Sequence, residues 1–315
     1  YEARHFGIRS AMSSKLAKKL CSTLIFAKPR FERYKEISKI IAEVFYSYTD
    51  LVESLSLDEA YLDVTENKRG IVSASKTARL IREDIFEKTG LTSSAGISVN
   101  KLVAKIASDY NKPNGQKTIP PEEIKEFMED LDIRKFHGIG RATAQKMNRI
   151  GIFKGVDLKK KGKNFLIREF GKSGSYYFNS ARGINLSPVS SIRKAKSLGS
   201  EQTFSKNISS EIYLIEKINI ISNKLSQRLK KFDISGKTIT LKIKYSDFVI
   251  QTRSITKDLY ICEKSLICKI CEELLYKEKL RDSVRLIGIT VSNFKNPKGK
   301  KISNKLLKSQ LKIDF

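Results

Sequence analysis
Between residues 30 and 50 the apolar side chains Ile37, Ile40, Ile41, Val44 and Phe45 recur every three or four positions, the spacing of one helix face. The same period returns at Ala78, Ile81, Ile85 and Phe86 within 72–88, and again over 101–110, so these segments and 11–21 are predicted helices. Alternation takes over in LVESLSLDE (51–59), AYLDVT (60–65) and LTSSAGISV (91–99), as in half-buried strands. Helices interleaved with strands in this order predict an α+β layer, with helices packed on a mostly antiparallel sheet.

Pro120-Pro121 breaks the pattern, and 121–185 reads as short helices joined by Gly-containing turns. Residues 187–198 are basic, lack an apolar period and read as an extended linker. Strands follow at SLGSEQTF, TITLKIKYSDFVIQTRSI and VRLIGITVSNF, with helices at 209–232 and 257–276, a second, smaller α+β domain. A Lys-rich tail runs from Asn296 to the end.

The 315 residues, 40% hydrophobic and 30% charged, exclude a disordered chain and suffice for more than one core. No apolar run approaches the roughly 20 residues of a membrane span, so no membrane partner and a cytoplasmic location are expected. The formal charge of +27 is unevenly placed: residues 1–110 carry 18 Lys and Arg against 14 Asp and Glu, whereas 191–315 carry 27 against 12. Positive charge concentrated in the second half points to nucleic acid. Cys268 and Cys271 form a C-x2-C pair, but the only histidines, His5 and His137, are remote in sequence. The segment is apolar at helical spacing, so buried reduced thiols are expected rather than zinc ligands.

Within LSLDEAYLDV (55–64) two adjacent carboxylates, Asp58 and Glu59, interrupt strand material. Neighbours on a regular strand point to opposite faces, and an unpaired buried carboxylate is costly. Both side chains reach one place only at a bulge or tight hairpin turn, where with one more anionic ligand they could hold Mg²⁺ ions that grip a triphosphate and a hydroxyl nucleophile; by itself the dipeptide reads first as an ordinary acidic turn. Gly138-Ile139-Gly140 is a second candidate. Two glycines around one apolar residue let a hairpin turn sharply and leave free backbone N–H groups at the next helix start, a sequence-independent phosphate site, the alternative being a plain helix C-cap turn.

SLDEAYLDV (56–64) resembles the central motif of the Y-family (translesion) DNA polymerases, and three further stretches agree in order and spacing. YEARHFGIRSAM (1–12) is similar to the family's finger motif, ASDYNKPNGQ (107–116) to its palm motif, and FHGIGRATAQKM (136–147) to the helix-hairpin-helix of its thumb. The nearest branch is the bacterial DNA polymerase IV (DinB-type) group. The resemblance implies a multidomain α+β right-hand polymerase: remainder of the fingers 1–29, palm 30–118, small helical thumb 119–187, linker 188–196, α+β little finger 197–295 and basic tail 296–315.

It further implies that Asp58 is a metal ligand, and Glu59 a metal-binding catalytic carboxylate near the primer 3′ end. Tyr1, Arg4 and Lys112 would contact the incoming triphosphate, with two Mg²⁺ ions as cofactor. Gly138, Gly140 and Arg141 would bind DNA through the thumb. Arg193 and Lys196 in the linker, and Lys242, Lys244 and Arg253 in the little finger, would add phosphate contacts on one basic sheet face. The last residues, QLKIDF, resemble a clamp-binding peptide, with Gln310, Leu311, Ile313 and Phe315 as its anchors. The implied partners are primer-template DNA, dNTP and a sliding clamp, with the enzyme acting as a monomer. In the family a strand before the YEAR motif supplies a first Asp and a ribonucleotide-excluding residue, which the sequence from Tyr1 onward does not include. The expectation is a polymerase impaired in this form, the alternative being an inactive, clamp-tethered DNA-binding fragment.

Overall fold
The computed structural model describes residues 1–192 and 195–295. Two short helices, α1 (Glu2–His5) and α2 (Ser14–Leu20), open the chain, and the Ser13 side chain caps α2 by accepting from the Leu16 amide. Helix α3 (Phe31–Tyr48) leads into the antiparallel pair β1 (Val52–Ser54) and β2 (Ala60–Leu62). Helix α4 (Ala74–Thr89), capped by Ser73, packs on α3 around Val44, Tyr48, Ile81 and Ile85. The apolar stripes of the two sequences therefore meet.

Next come β3 (Ala95–Ile97), α5 (Lys101–Ala107) and β4 (Gln116–Thr118), with β3 and β4 parallel. The expected mostly antiparallel sheet is thus two separate ladders among the described residues, one of them parallel because α5 serves as the crossover. The buried face of α5 (Leu102, Val103, Ile106, Ala107) shares one core with the short helices that follow. These are α6 (Ile124–Asp130), α7 (Arg141–Arg149), α8 (Gly155–Lys160), α9 (Lys163–Phe170) and α10 (Ser173–Ser180).

The last described region contains β5 (Ser197–Ile208), α11 (Glu211–Lys231), β6 (Gly236–Tyr245), β7 (Ile250–Ile261), α12 (Lys264–Tyr276) and β8 (Val284–Phe294). The sheet order is β5-β8-β6-β7, with every neighbouring pair antiparallel. Hence β5 and β6 run parallel on either side of β8 and are joined by α11, while β7 and β8 flank β6 and are joined by α12. These are two split β-α-β units. Both helices share one core with the sheet, including Leu214, Ile218, Leu225, Ile239, Leu241, Ile270 and Ile289.

The expected helix over 257–276 begins only at Lys264. Residues 257–261 extend β7, where Ile261 pairs with Gly236, and this cross-strand pairing outweighs the local apolar spacing. Cys268 and Cys271 lie buried on α12 as free thiols. Burial pushes the Cys268 thiol up to about 11 and the Cys271 thiol higher still, so neither is a ready thiolate. No described helix is long and apolar enough to cross a membrane.

Candidate active site and nucleic-acid surfaces
Residues 55–59 form the turn of the β1–β2 hairpin, closed by the Leu55 amide donating to the Glu59 carbonyl at 2.9 Å. The break in alternation frees Asp58 and Glu59 from opposite faces, and both are exposed on the same turn. Ser56 Oγ donates to Asp58 Oδ1 at 2.6 Å, and Lys105 Nζ pairs with Glu59 Oε1 at 2.7 Å. A second lysine one helical turn earlier, Lys101, binds Glu53 Oε2 at 2.7 Å and the Pro188 carbonyl at 2.8 Å. Two lysines at i and i+4 on α5 thus grip two carboxylates of the hairpin. These lysines escaped the sequence reading, although their spacing on one helix face was the available signal.

Lys112, exposed just beyond α5, pairs with Asp109. That hydrogen bond, against the opposing effect of burial, raises the Lys112 pKa; the charges of Asp109, Glu59 and Tyr1 act in the same direction. Glu59 and Tyr1 therefore lie within electrostatic reach of this ammonium. The Arg4 guanidinium sits 5.2 Å from the Tyr1 ring centroid, so Tyr1, Arg4, Lys112 and Glu59 gather in one region although 111 positions separate Tyr1 from Lys112. Among the described residues, no three or more His, Cys, Asp or Glu side chains form a cluster suited to a metal ion. The all-oxygen pair on the hairpin turn nevertheless suits a hard divalent cation. Magnesium is commonly held by one or two carboxylates, with substrate phosphates and water completing its shell.

Residues 136–141 are sorted by burial: Phe136 and Ile139 anchor in the core at 2% and 6% exposure, whereas His137, Gly138, Gly140 and Arg141 face solvent. Gly138 has φ +84°, and a Cβ there would lie 3.1 Å from the Tyr176 ring. The Tyr176 hydroxyl donates to the His137 carbonyl at 2.9 Å and buttresses the turn. Gly140 is the N-cap of α7 and supplies no capping side chain, so the first amides of α7 remain available to an anion.

On the C-terminal sheet, Lys242 and Lys244 share the face away from the helices with Thr238 and Thr240. Thr240 bonds Ser254 at 2.8 Å, Lys242 binds Glu201 at 2.9 Å, and the Lys244 ammonium lies 4.7 Å from the Phe248 ring centroid. Arg253 does not belong to this face. It pairs in register with buried Leu241, is 5% exposed, and donates to the Leu274 and Leu275 carbonyls in the last turn of α12. A one-residue offset on a strand reverses the face, so Arg253 is a helix cap rather than a phosphate contact. Lys196 is exposed, whereas Arg193 and the clamp-peptide residues Gln310, Leu311, Ile313 and Phe315 lie outside the described residues.

A carboxylate hairpin backed by lysines, a cationic loop beside it, a glycine turn and a two-helix sheet domain together define a polymerase-like layout. Sequence comparison agrees over the same stretches. Residues 1–109 match the impB/mucB/samB family, 121–152 the HHH motif of the IMS family, and 195–304 the impB/mucB/samB family C-terminal domain. The chain is 48% identical over 297 residues to DNA polymerase IV 2 of Agrobacterium fabrum, covering 94% of this chain and 83% of that protein. It is 45% identical over 294 residues to DNA polymerase IV of Bacteroides fragilis, covering 93% and 81%. Its fold matches a Y-family DNA polymerase chimera, Dbh-Dpo4(243-245)-Dbh, with a TM-score of 0.82 at 30% identity, over 93% of this chain and 85% of that one. An insertion ternary complex of Dbh DNA polymerase matches with a TM-score of 0.62 at 29% identity, over 93% and 85%. The chain belongs to the Y-family DNA polymerases, in the bacterial DNA polymerase IV (DinB-type) branch. Its activity is DNA-directed DNA polymerisation of the translesion type.

Proposed function
We propose that Asp58 and Glu59 form the nucleotidyl-transfer centre, where a primer 3′-hydroxyl attacks the α-phosphate of a dNTP and pyrophosphate leaves. The observation that carries this reading is the convergence of two exposed carboxylates with Tyr1, Arg4 and Lys112. Two divalent ions, Mg²⁺ by the oxygen donor set, would supply charge neutralisation and activation of the hydroxyl. Asp58 and Glu59 would hold them, with Ser56 orienting Asp58 and Lys105 orienting Glu59. Arg4 offers a planar cationic fork to the triphosphate and Lys112 a point charge, while Tyr1 lines its approach. The catalytic contribution is mostly positioning.

Primer-template DNA is gripped without regard to sequence by the first amides of α7, behind Gly138 and Gly140, and by Arg141. Lys242, Lys244 and the hydroxyl carpet of the C-terminal sheet hold the duplex, with Lys196 and Arg193 from the linker adding phosphate contacts. The terminal QLKIDF would tether a monomeric enzyme to a sliding clamp in the cytoplasm, close to the nucleoid.

Primer extension with dNTP and Mg²⁺ tests the centre. Asp58→Ala and Glu59→Ala should each lower kcat on the order of a thousandfold, the loss of several kcal/mol of transition-state stabilisation, while primer-template affinity holds. Retention of near-normal kcat in either variant would overturn the assignment.

A further inference from the structure
Lys112 can serve a triphosphate only if its loop is held still, and α5 ends before it, at Ala107. The loop is tightly folded. Asn114 sits at φ +50°, and a Cβ on Gly115 would lie 2.1 Å from the Asn111 carbonyl oxygen. Asn111 Nδ2 donates to the Gln116 carbonyl at 2.7 Å. None of these contacts ties the loop to the rest of the molecule.

The ties come from the approach to β3, where the Gly115 amide donates to Ser94 Oγ at 3.3 Å and the Ala95 amide to the Gly115 carbonyl at 3.0 Å, and from α4. Arg82 Nη2 donates to both the Asn114 carbonyl and Asn114 Oδ1 at 2.7 Å, and Nη1 reaches Gln116 Oε1 at 3.4 Å. Nε donates to the Ser93 carbonyl at 2.8 Å, just ahead of β3. Gln116 Nε2 returns to the Ser75 carbonyl at 3.0 Å, in the first turn of the same helix. Arg82 follows Ile81, whose side chain is buried against α3, so one rigid helix pair carries the fork. All three guanidinium nitrogens are engaged with one loop and the strand entry beside it, a fixed planar geometry that a lysine cannot reproduce.

We propose that Arg82 is a positioning residue for nucleotide binding: its guanidinium locks the 111–116 loop on α4 and so places Lys112 for the triphosphate. The inference rests on the reading of Lys112 as a triphosphate ligand. Arg82 engages the loop through Asn114 and Gln116 and acts on the triphosphate only through the placement of Lys112.

Single-nucleotide insertion is measured for Arg82→Ala, Arg82→Lys, Lys112→Ala and the Arg82→Ala/Lys112→Ala double variant, with active enzyme counted by titration with primer-template. Arg82→Ala and Arg82→Lys should both raise KM for dNTP roughly tenfold, about what one charge-assisted contact is worth, with primer-template affinity unchanged. In the double variant KM should not exceed that of Lys112→Ala alone, because the loop then has no cation to place. Amide hydrogen exchange over 111–116 should quicken in Arg82→Ala. A KM that stays at the parent value, or that adds fully to the Lys112→Ala effect, overturns the role of Arg82. A parent-like KM in Lys112→Ala instead removes the triphosphate reading itself, and the proposal with it.

Discussion

The C-terminal sheet and the hairpin that carries Asp58 and Glu59 are stabilised by opposite means. Strands β5 to β8 run 12, 10, 12 and 11 residues, and Ile239, Leu241, Ile243, Ile287 and Ile289 are fully buried beneath α11 and α12. Strands β1 and β2 have three residues each, and Val52 is their only buried member. The hairpin is held instead by directed polar contacts: Lys101 on Glu53, Lys105 on Glu59, and Thr49 Oγ1 donating to the Asp63 carbonyl at 2.7 Å. Residues 55–59 contain no buried side chain to anchor the turn, so α5 behind it fixes its position through charge and hydrogen bonds. The sheet domain instead keeps a closed core beneath its two helices.

The largest expected effect breaks the buried side of this contrast. Leu241→Ala should destabilise the C-terminal region by about 2–5 kcal/mol, the usual range for a fully buried leucine truncated in a tight core. Urea unfolding measures it, and kcat per folded molecule should stay at the parent value. A loss below about 1 kcal/mol would mean that the sheet does not depend on this core.

A smaller effect is expected on the polar side. Tyr48 is fully buried between α3 and α4, yet its hydroxyl donates to Asp84 Oδ2 at 2.8 Å and accepts from Arg69 Nη1 at 2.7 Å. Burial and then the Asp84 hydrogen bond push the phenol up to about 12. Tyr48→Phe keeps the ring, and the Arg69–Asp84 pair at 3.0 Å survives, so the expected loss is about 1–2 kcal/mol. Hydrogen exchange should rise along α3 and α4 and stay unchanged along β5 to β8. An unchanged midpoint would assign the stability of this region to the ring alone, bringing the two regions closer together.

The same contrast explains what was legible in the sequence. Apolar periodicity located α3, α4 and most of the C-terminal elements, because burial is written into every third, fourth or second residue. The Asp58–Glu59 turn was legible because on a regular strand one of two adjacent carboxylates would face the core unpaired. Arg253 was misread because Lys242, Lys244 and Arg253 were grouped by proximity and charge, whereas the β6–β7 register, fixed only in three dimensions, sets Arg253 opposite Leu241. Lys101, Lys105 and Arg82 were missed for a related reason. A polar residue beside an apolar stripe reads as solvated until its long-range partner is known. For Arg82 the partner Asn114 lies 32 positions away, and for Lys105 the partner Glu59 lies 46.

The smallest effect concerns the turn that presents Gly138 and depends on pH. Asp132 Oδ1 accepts from the Arg134 amide at 2.8 Å and from Arg134 Nε at 2.9 Å, closing the short 3₁₀ turn Ile133–Lys135 before Phe136. The Arg134 side-chain hydrogen bond, joined by the Arg134 amide and the charges of Arg134 and Lys135, outweighs burial and holds the Asp132 carboxyl at about 2. The folded value lies below the ordinary value of 3.8, so the unfolded chain takes up the proton first. The stability Asp132 supplies is therefore complete above about pH 4 and is lost as pH falls towards about 2. With a third of the side chain exposed, water screens the pair and the effect is small. Asp132→Asn should lower the urea midpoint slightly at pH 7 and converge with the parent towards pH 2, which flattens the pH dependence between pH 5 and 2. Parallel pH profiles for parent and variant would show that this turn, like the C-terminal sheet, is held by its buried neighbours Ile133 and Phe136 rather than by charge.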